Sequence, residues 1–293
     1  MANQINKEGI NTGITWCHYT ANLWWGCVAV HEGCNNCYAE ALAKRWGNDV
    51  WGNDKPRKYI KSAWRELDKM QTNAKKEGKI HRVFVGSMMD IFEKPMPLID
   101  SKGIEITNLN TGEIRDTFFK RISEHRYPNL RFLLLTKRPS NINKYIPESW
   151  KENPPENVMF GTSPVSQTTY KTLVRQLLEV NGKRFLSIEP QLDFISIPSD
   201  LYKGIDWIIQ GGESGHHKRP FNLDWAYSMK QDCKDLNIPY FFKQIDKIQE
   251  IPADLMVRQF PLETVSSHFY LRSSVADGQE IELLKFKIYT NEQ

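Results

Sequence analysis

Three thiols fall within eleven residues of a 293-residue chain that has only five cysteines: Cys27, Cys34 and Cys37, spaced C-x6-C-x2-C. The x2 pair lets two sulfurs point at one inorganic centre from a single turn, and the longer first interval lets Cys27 approach from the loop. A closed structural zinc site takes four protein ligands, and the nearby residues that could complete one are His31, His18 and Cys17. Without a fourth ligand the set suits a [4Fe-4S] cluster on three thiolates, which leaves one iron open to a small molecule. The third reading is reduced cysteines packed as small apolar side chains.

Other residues with chemistry to offer follow a pattern. Six short apolar runs, at 82–85, 131–135, 157–160, 184–188, 207–209 and 239–242, each end in a polar cluster. These clusters are Gly86-Ser87-Met88-Met89-Asp90, Thr136-Lys137-Arg138-Pro139, Gly161-Thr162-Ser163-Pro164, Glu189-Pro190-Gln191, Gln210-Gly211-Gly212-Glu213-Ser214-Gly215 and Lys243-Gln244. Glu213 or Asp90 could hold an ammonium group, and Lys137 or Arg138 a carboxylate or phosphate. Glu189 could accept from a ribose hydroxyl or act as an acid or base. Gly211 and Gly212 would let backbone approach a ligand closely. The candidate catalytic groups are therefore Glu189, Glu213 and Lys137. The candidate cofactor contacts are Tyr38, Ser87, Asp90, Thr136, Arg138, Ser163, Gly211, Gly212 and Ser214. Each has an ordinary alternative, with Glu213 as a helix cap and Lys137 as a solvated charge. Lys137, Arg138, Lys218, Arg219 and Lys243, with Trp24, Trp25 and His216-His217, mix cations and aromatics on the loops. That mixture suits a nucleotide or a nucleic-acid base, or simply a solvated rim.

The elements that would hold these groups in place can be read from apolar spacing. Runs that are apolar throughout, alternating with helical stretches, predict parallel strands buried on both faces. Six or seven such units with right-handed crossovers give an α/β fold, a full or partial (β/α) barrel whose loops open on one face. Thr15-Trp16 reads as a short first strand, and Tyr38 to Trp46 as the helix after the cysteines. Lys58 to Lys76 reads as an amphipathic helix through Ile60, Trp64, Leu67 and Gln71. Tyr170, Leu173, Val174, Leu177 and Leu178 form a stripe capped by Ser166 or Thr168, and Ala226, Met229, Cys233 and Leu236 form another after Asn222. Cys233 is thereby a core cysteine. Two small β-hairpin insertions are expected, one of 104–106 with 113–115 around Asn110-Thr111-Gly112, the other of 267–272 with 282–289. The division is a barrel domain over 1–261 and a β-rich extension over 262–293.

Thirty-nine basic against 35 acidic residues give a net charge of +4, too mild to announce nucleic-acid binding. No apolar run approaches the ~20 residues a membrane span needs, so no membrane association is expected. The N-terminal residues lack a signal-peptide layout, which predicts a cytoplasmic address where thiols stay reduced.

Gly26-Cys27, the stretch Gly33-Cys34-Asn35-Asn36-Cys37-Tyr38-Ala39-Glu40, Phe84 to Asp90, Leu135 to Pro139, Ser187 to Pro190, and Gly211 to Gly215 with Arg219-Pro220 together resemble a phage-associated family of unknown function. It is the three-cysteine-motif proteins, similar to a branch of the radical S-adenosylmethionine enzymes, and the resemblance runs from about Thr12 to Pro261. The first cysteine interval is six residues where that superfamily has three, and Tyr38 stands where it commonly carries an aromatic. Its glycine-glycine-glutamate motif follows an early strand, whereas Gly211-Gly212-Glu213 follows a late one, so no amino-group-binding role is carried over. The resemblance implies a radical-SAM-like barrel, a cluster on Cys27, Cys34 and Cys37, occurrence in phages and mobile elements, and a separately encoded partner protein. It implies no substrate. The expected function is an iron-sulfur enzyme that reduces bound S-adenosylmethionine to a deoxyadenosyl radical acting on a nucleotide or nucleic-acid-related substrate. The alternative is a non-catalytic, zinc-stabilised nucleic-acid or protein-binding module, for instance in phage defence.

Overall fold

The strands that carry the polar clusters lie side by side and run the same way. The computed structural model describes residues 13–215 and 217–261. Its larger sheet has seven parallel strands: β1 (Tyr19–Ala21), β4 (His81–Val85), β7 (Leu130–Thr136), β8 (Val158–Thr162), β9 (Lys183–Ile188), β10 (Trp207–Gly211) and β11 (Tyr240–Gln244), hydrogen-bonded in that order. A smaller mixed sheet, β2 (Trp24–Trp25), β3 (Arg57–Tyr59), β5 (Pro97–Ile99) and β6 (Glu105–Asn110), intervenes in the chain. The helices are α1 (Tyr38–Arg45), α2 (Ala63–Glu77), α3 (Thr111–Ser123), α4 (Ile142–Tyr145), α5 (Glu148–Glu152), α6 (Gln167–Leu178) and α7 (Leu223–Asp235). The seven-stranded sheet curls into a partial (β/α) barrel, an α/β fold of the expected class with its strand C-termini on one side.

Alternation along the strands explains why each run is apolar throughout. Val83 and Val85, Phe132 and Leu134, Val158 and Phe160, and Leu186 and Ile188 face the helices, in one core cluster. Phe84, Leu133, Met159, Phe185, Trp207, Ile209 and Phe241 face inward, in a second. Among the described residues no strand pair closes the sheet, and Trp16 plugs its concave interior. Its ring packs on Phe84 at 4.8 Å, Trp207 at 6.2 Å and Phe185 at 6.5 Å. Phe260 adds to the fill, 5.3 Å from Phe241 and 5.6 Å from Trp207.

The structure corrects three expected elements. Thr15-Trp16 is not a strand, because Trp16 is spent on the plug and the first strand begins at Tyr19. Lys58 to Tyr59 belongs to β3, and the predicted helix starts five residues later, at Ala63. The hairpin around Asn110-Thr111-Gly112 is a strand-to-helix junction. The Asn110 side chain accepts from Gly112 N at 2.8 Å and Glu113 N at 3.2 Å, while Glu113 Oε2 accepts from Asn110 N at 2.8 Å, a capping box that opens α3. The other helices start as read: Ser166 and Thr169 form the capping box of α6, and Asn222 caps α7. The second hairpin and the 262–293 extension lie outside the described residues. Among the described residues no helix is long and apolar enough to cross a membrane.

Candidate functional site

The cysteine loop lies over the C-terminal ends of the parallel strands and is tied down from both sides. It enters through Gly26, whose backbone N–H donates to Met88 O at 3.0 Å. Its φ is +119°, and a Cβ there would stand 2.5 Å from Arg57 Cδ and closer still to Val50 O, so only glycine serves. On the β4 side Asn22 Nδ2 donates to Ser87 Oγ at 2.8 Å, and Tyr38 Oη donates to Ser87 O at 2.9 Å. On the β10 side Asn36 Nδ2 donates to Glu213 Oε2 at 3.2 Å and to His217 O at 2.8 Å, and Arg219 Nη1 donates to Glu32 O at 3.2 Å. In the middle, Arg138 Nη2 donates to Val28 O at 2.6 Å and Nη1 lies 3.8 Å from Cys27 Sγ. These bonds reach from the loop to the ends of strands on both sides of the sheet.

Beneath the loop is a cavity of about 300 Å³. Cys27, Cys34 and Cys37 all line it, together with Glu189, Glu213 and Lys137 and with Tyr38, Ser87, Asp90, Thr136, Arg138, Ser163, Gly212 and Ser214. Gly211 is the one candidate off the wall. It sits within β10, where a Cβ would meet Gln244 O at 3.2 Å and Glu189 Oε1 at 3.3 Å. The small size of Gly212 also serves the protein's own packing, since a Cβ there would run into Ile245 O and stand 2.9 Å from Phe221 Cβ. Trp24, expected at the rim, is fully buried in the core. Trp25 stacks on Trp46 at 5.2 Å instead.

Charge in the cavity is closely managed. Asp90 is 5% exposed, accepts from Thr136 Oγ1 at 2.8 Å, and pairs with Arg138 Nη1 at 2.6 Å. Glu213 is gripped by the Arg219 guanidinium and backbone N–H, so it is not open to a ligand ammonium as it stands. Burial pushes its carboxyl up, but the hydrogen bonds from Arg219 and Asn36 outweigh this and leave it below the usual range. Glu189 Oε2 accepts from Trp16 Nε1 at 3.2 Å and Ser187 Oγ at 3.0 Å, and Oε1 faces Lys243 Nζ at 3.1 Å. Burial holds Cys27 as a thiol, pushed up to about 12. Burial likewise raises Cys37.

Of the three residues weighed as a fourth ligand, Cys17 and His18 are held elsewhere, and His31 lies in the cysteine loop itself. Cys17 belongs to the buried plug and donates to Ile14 O at 3.6 Å. His18 stacks on His81 at 4.6 Å, with Nδ1 accepting from Arg82 N. His31 caps its own turn through Gly33 N, leaving Nε2 buried without a partner among the described residues.

Whether the thiols suit a metal depends on its size. Zinc–sulfur bonds of about 2.3 Å would bring ligands almost into contact around one point. Among the described residues no three His, Cys, Asp or Glu side chains are grouped to hold an ion in that way. A cluster takes each thiolate on a different iron, so its ligands stand farther apart on one wall. Three cysteine sulfurs on one wall are donors of the type that zinc and iron-sulfur clusters both take.

Several residues that build the site escaped the sequence reading. Asn36 lies inside the cysteine motif yet gave no sign of its bond to Glu213, 177 positions away. Asn22, Trp16 as the partner of Glu189, and Lys247 on the cavity wall were also missed. Only Asn36, by its place between two cysteines, carried a usable signal.

A family model described as a protein of unknown function (DUF5131) matches residues 11–280. No curated protein and no solved structure matches the chain.

Proposed function

We propose that this chain, which belongs to the DUF5131 family, is an iron-sulfur enzyme of the radical S-adenosylmethionine type acting on a nucleotide or nucleic-acid-related substrate. What carries the reading is that Cys27, Cys34 and Cys37 open onto the same cavity as the polar ends of six parallel strands. The three thiols would hold a [4Fe-4S] cluster, and with S-adenosylmethionine it would supply one-electron chemistry.

The chain's own residues do the rest. Arg138 locks the cysteine loop to the end of β7 through Val28 O while its other nitrogen stays on Asp90. Glu189, fixed by Trp16, Ser187 and Lys243, presents a carboxylate to accept a proton or a ribose hydroxyl. The loop with its bonds on both sides roofs the chamber and limits water. A reducing cytoplasm, a separately encoded partner and a phage or mobile-element setting belong to the same proposal.

The test is to incubate anaerobically prepared, dithionite-reduced protein with S-adenosylmethionine and assay 5′-deoxyadenosine by chromatography. Formation in the wild type and its loss in Cys34→Ala supports the reading. A cluster-loaded protein that never cleaves S-adenosylmethionine refutes it.

A further inference from the structure

Four carboxylates stand on the cavity wall, and each already has a cation. Asp90 pairs with Arg138, Glu189 with Lys243, Glu213 with Arg219, and Glu40 with Lys44 at 2.7 Å. The wall's own cations are Lys137, Arg138, Lys243 and Lys247; Lys247 feels the charge of Glu189, whereas Lys137 forms no ion pair with an acid among the described residues. Four carboxylates and four cations line the wall, and Lys137 is the cation there that no carboxylate answers, so an anionic group of a ligand would supply its missing partner.

A second, independent feature stands next to one of these lysines. Ser163 is 1% exposed and lines the cavity, yet its Oγ has no hydrogen-bond partner among the described residues. Thr136 on β7 and Thr162 on β8 are register partners, so Lys137 and Ser163 are the next residues on two neighbouring strands. A buried hydroxyl without a partner is a cost that folding ordinarily avoids. A donor left open beside an uncompensated ammonium is what an oxyanion requires.

We propose that the substrate carries a phosphate monoester whose oxygens bind Ser163 Oγ and Lys137 Nζ. A phosphate monoester offers three strong acceptor oxygens, so one group can take the hydroxyl and the ammonium at once. This inference rests on the reading of the cavity as a substrate chamber and narrows its substrate class.

The test is calorimetric titration of the full-length protein, its iron content measured separately, with inorganic phosphate, uridine 5′-monophosphate and uridine at low salt. The nucleotide should bind at least about tenfold more tightly than the nucleoside, and K137Q and S163A should each weaken it roughly tenfold. K247Q, across the sheet, should leave it almost unchanged, and added salt should weaken it throughout. S163A should melt no lower than the wild type, because its hydroxyl has no partner to lose. Equal binding of uridine and its monophosphate, no binding of any probe, or unchanged affinity in both K137Q and S163A would overturn the proposal. So would acetate competing as well as phosphate, which would make the occupant a carboxylate. Because the titration needs no turnover, a protein without a cluster can still bind phosphate, and a loaded one can still ignore it. The two proposals therefore fail separately.

Discussion

Arg138 is the residue on which the cavity's geometry converges, because one guanidinium touches the Cys27 loop and the Asp90 carboxylate at once. Both partners of the pair are shielded, at 14% and 6% side-chain exposure, so deleting one strands the other. Asp90→Ala should destabilise the fold by about 3 kcal/mol in urea titration. Removing both partners together should cost less than the sum of the single deletions. Glu213 gives a prediction in pH. Its folded carboxyl lies below the ordinary value of about 4.5, so its contribution is in full above that pH and disappears as pH falls through the lower folded value. Melting temperature followed below pH 5 should therefore fall less steeply in Glu213→Gln than in the wild type, and identical slopes would show that the Arg219 grip is not felt in solution. At this scale the sequence was legible in residue type and not in pairing. Glu189, Glu213, Asp90 and Lys137 stand on the cavity wall, but which cation answers each carboxylate depends on strand order. Glu213 and Asp90 were both candidates to hold an ammonium group, and Arg219 already holds the one and Arg138 the other.

Among the elements, strands were the most readable, since β4, β7 and β8 bury both faces and so show as unbroken apolar runs. The junction at Asn110 was misread because Asn-Thr-Gly is a turn signal, while Asn followed three residues later by Glu is equally a helix start. The apolar residues on both sides alternate in a way either structure tolerates. What decides for the helix is burial of Ile114, Phe118, Phe119 and Ile122 on one face, visible only once the sheet is placed. Asn110→Ala should cost about 1 kcal/mol in thermal unfolding. A hairpin turn at that position would leave stability almost unchanged. The cysteine loop is held by side chains from outside itself, so Asn36→Ala should speed amide hydrogen exchange across 28–36 while β7 and β8 keep their protection. Uniform exchange in the variant and the wild type would mean the Asn36 bonds do not hold the loop.

At the scale of the whole fold, no strand pair among the described residues closes the half-barrel's concave side, and Trp16 forms the floor of the chamber there. Its ring fills the interior while its indole N–H reaches Glu189. Trp16→Phe should keep most of the packing and lose the hydrogen bond, lowering activity more than stability; Trp16→Ala should cost roughly 3–5 kcal/mol as well. No local pattern announced this, because a tryptophan three residues ahead of a strand looks the same whether it starts the strand or plugs the sheet. The barrel class itself was legible from the repeated alternation of apolar run and helix. The placement of three thiols and six strand ends around one chamber is the claim on which the functional account depends. Iron, sulfide and zinc should be quantified on anaerobically purified protein alongside C27A, C34A and C37A. The account predicts about four irons and four sulfides per chain in the wild type, lost in the variants. One zinc per chain with no sulfide, or no metal at all, would contradict it.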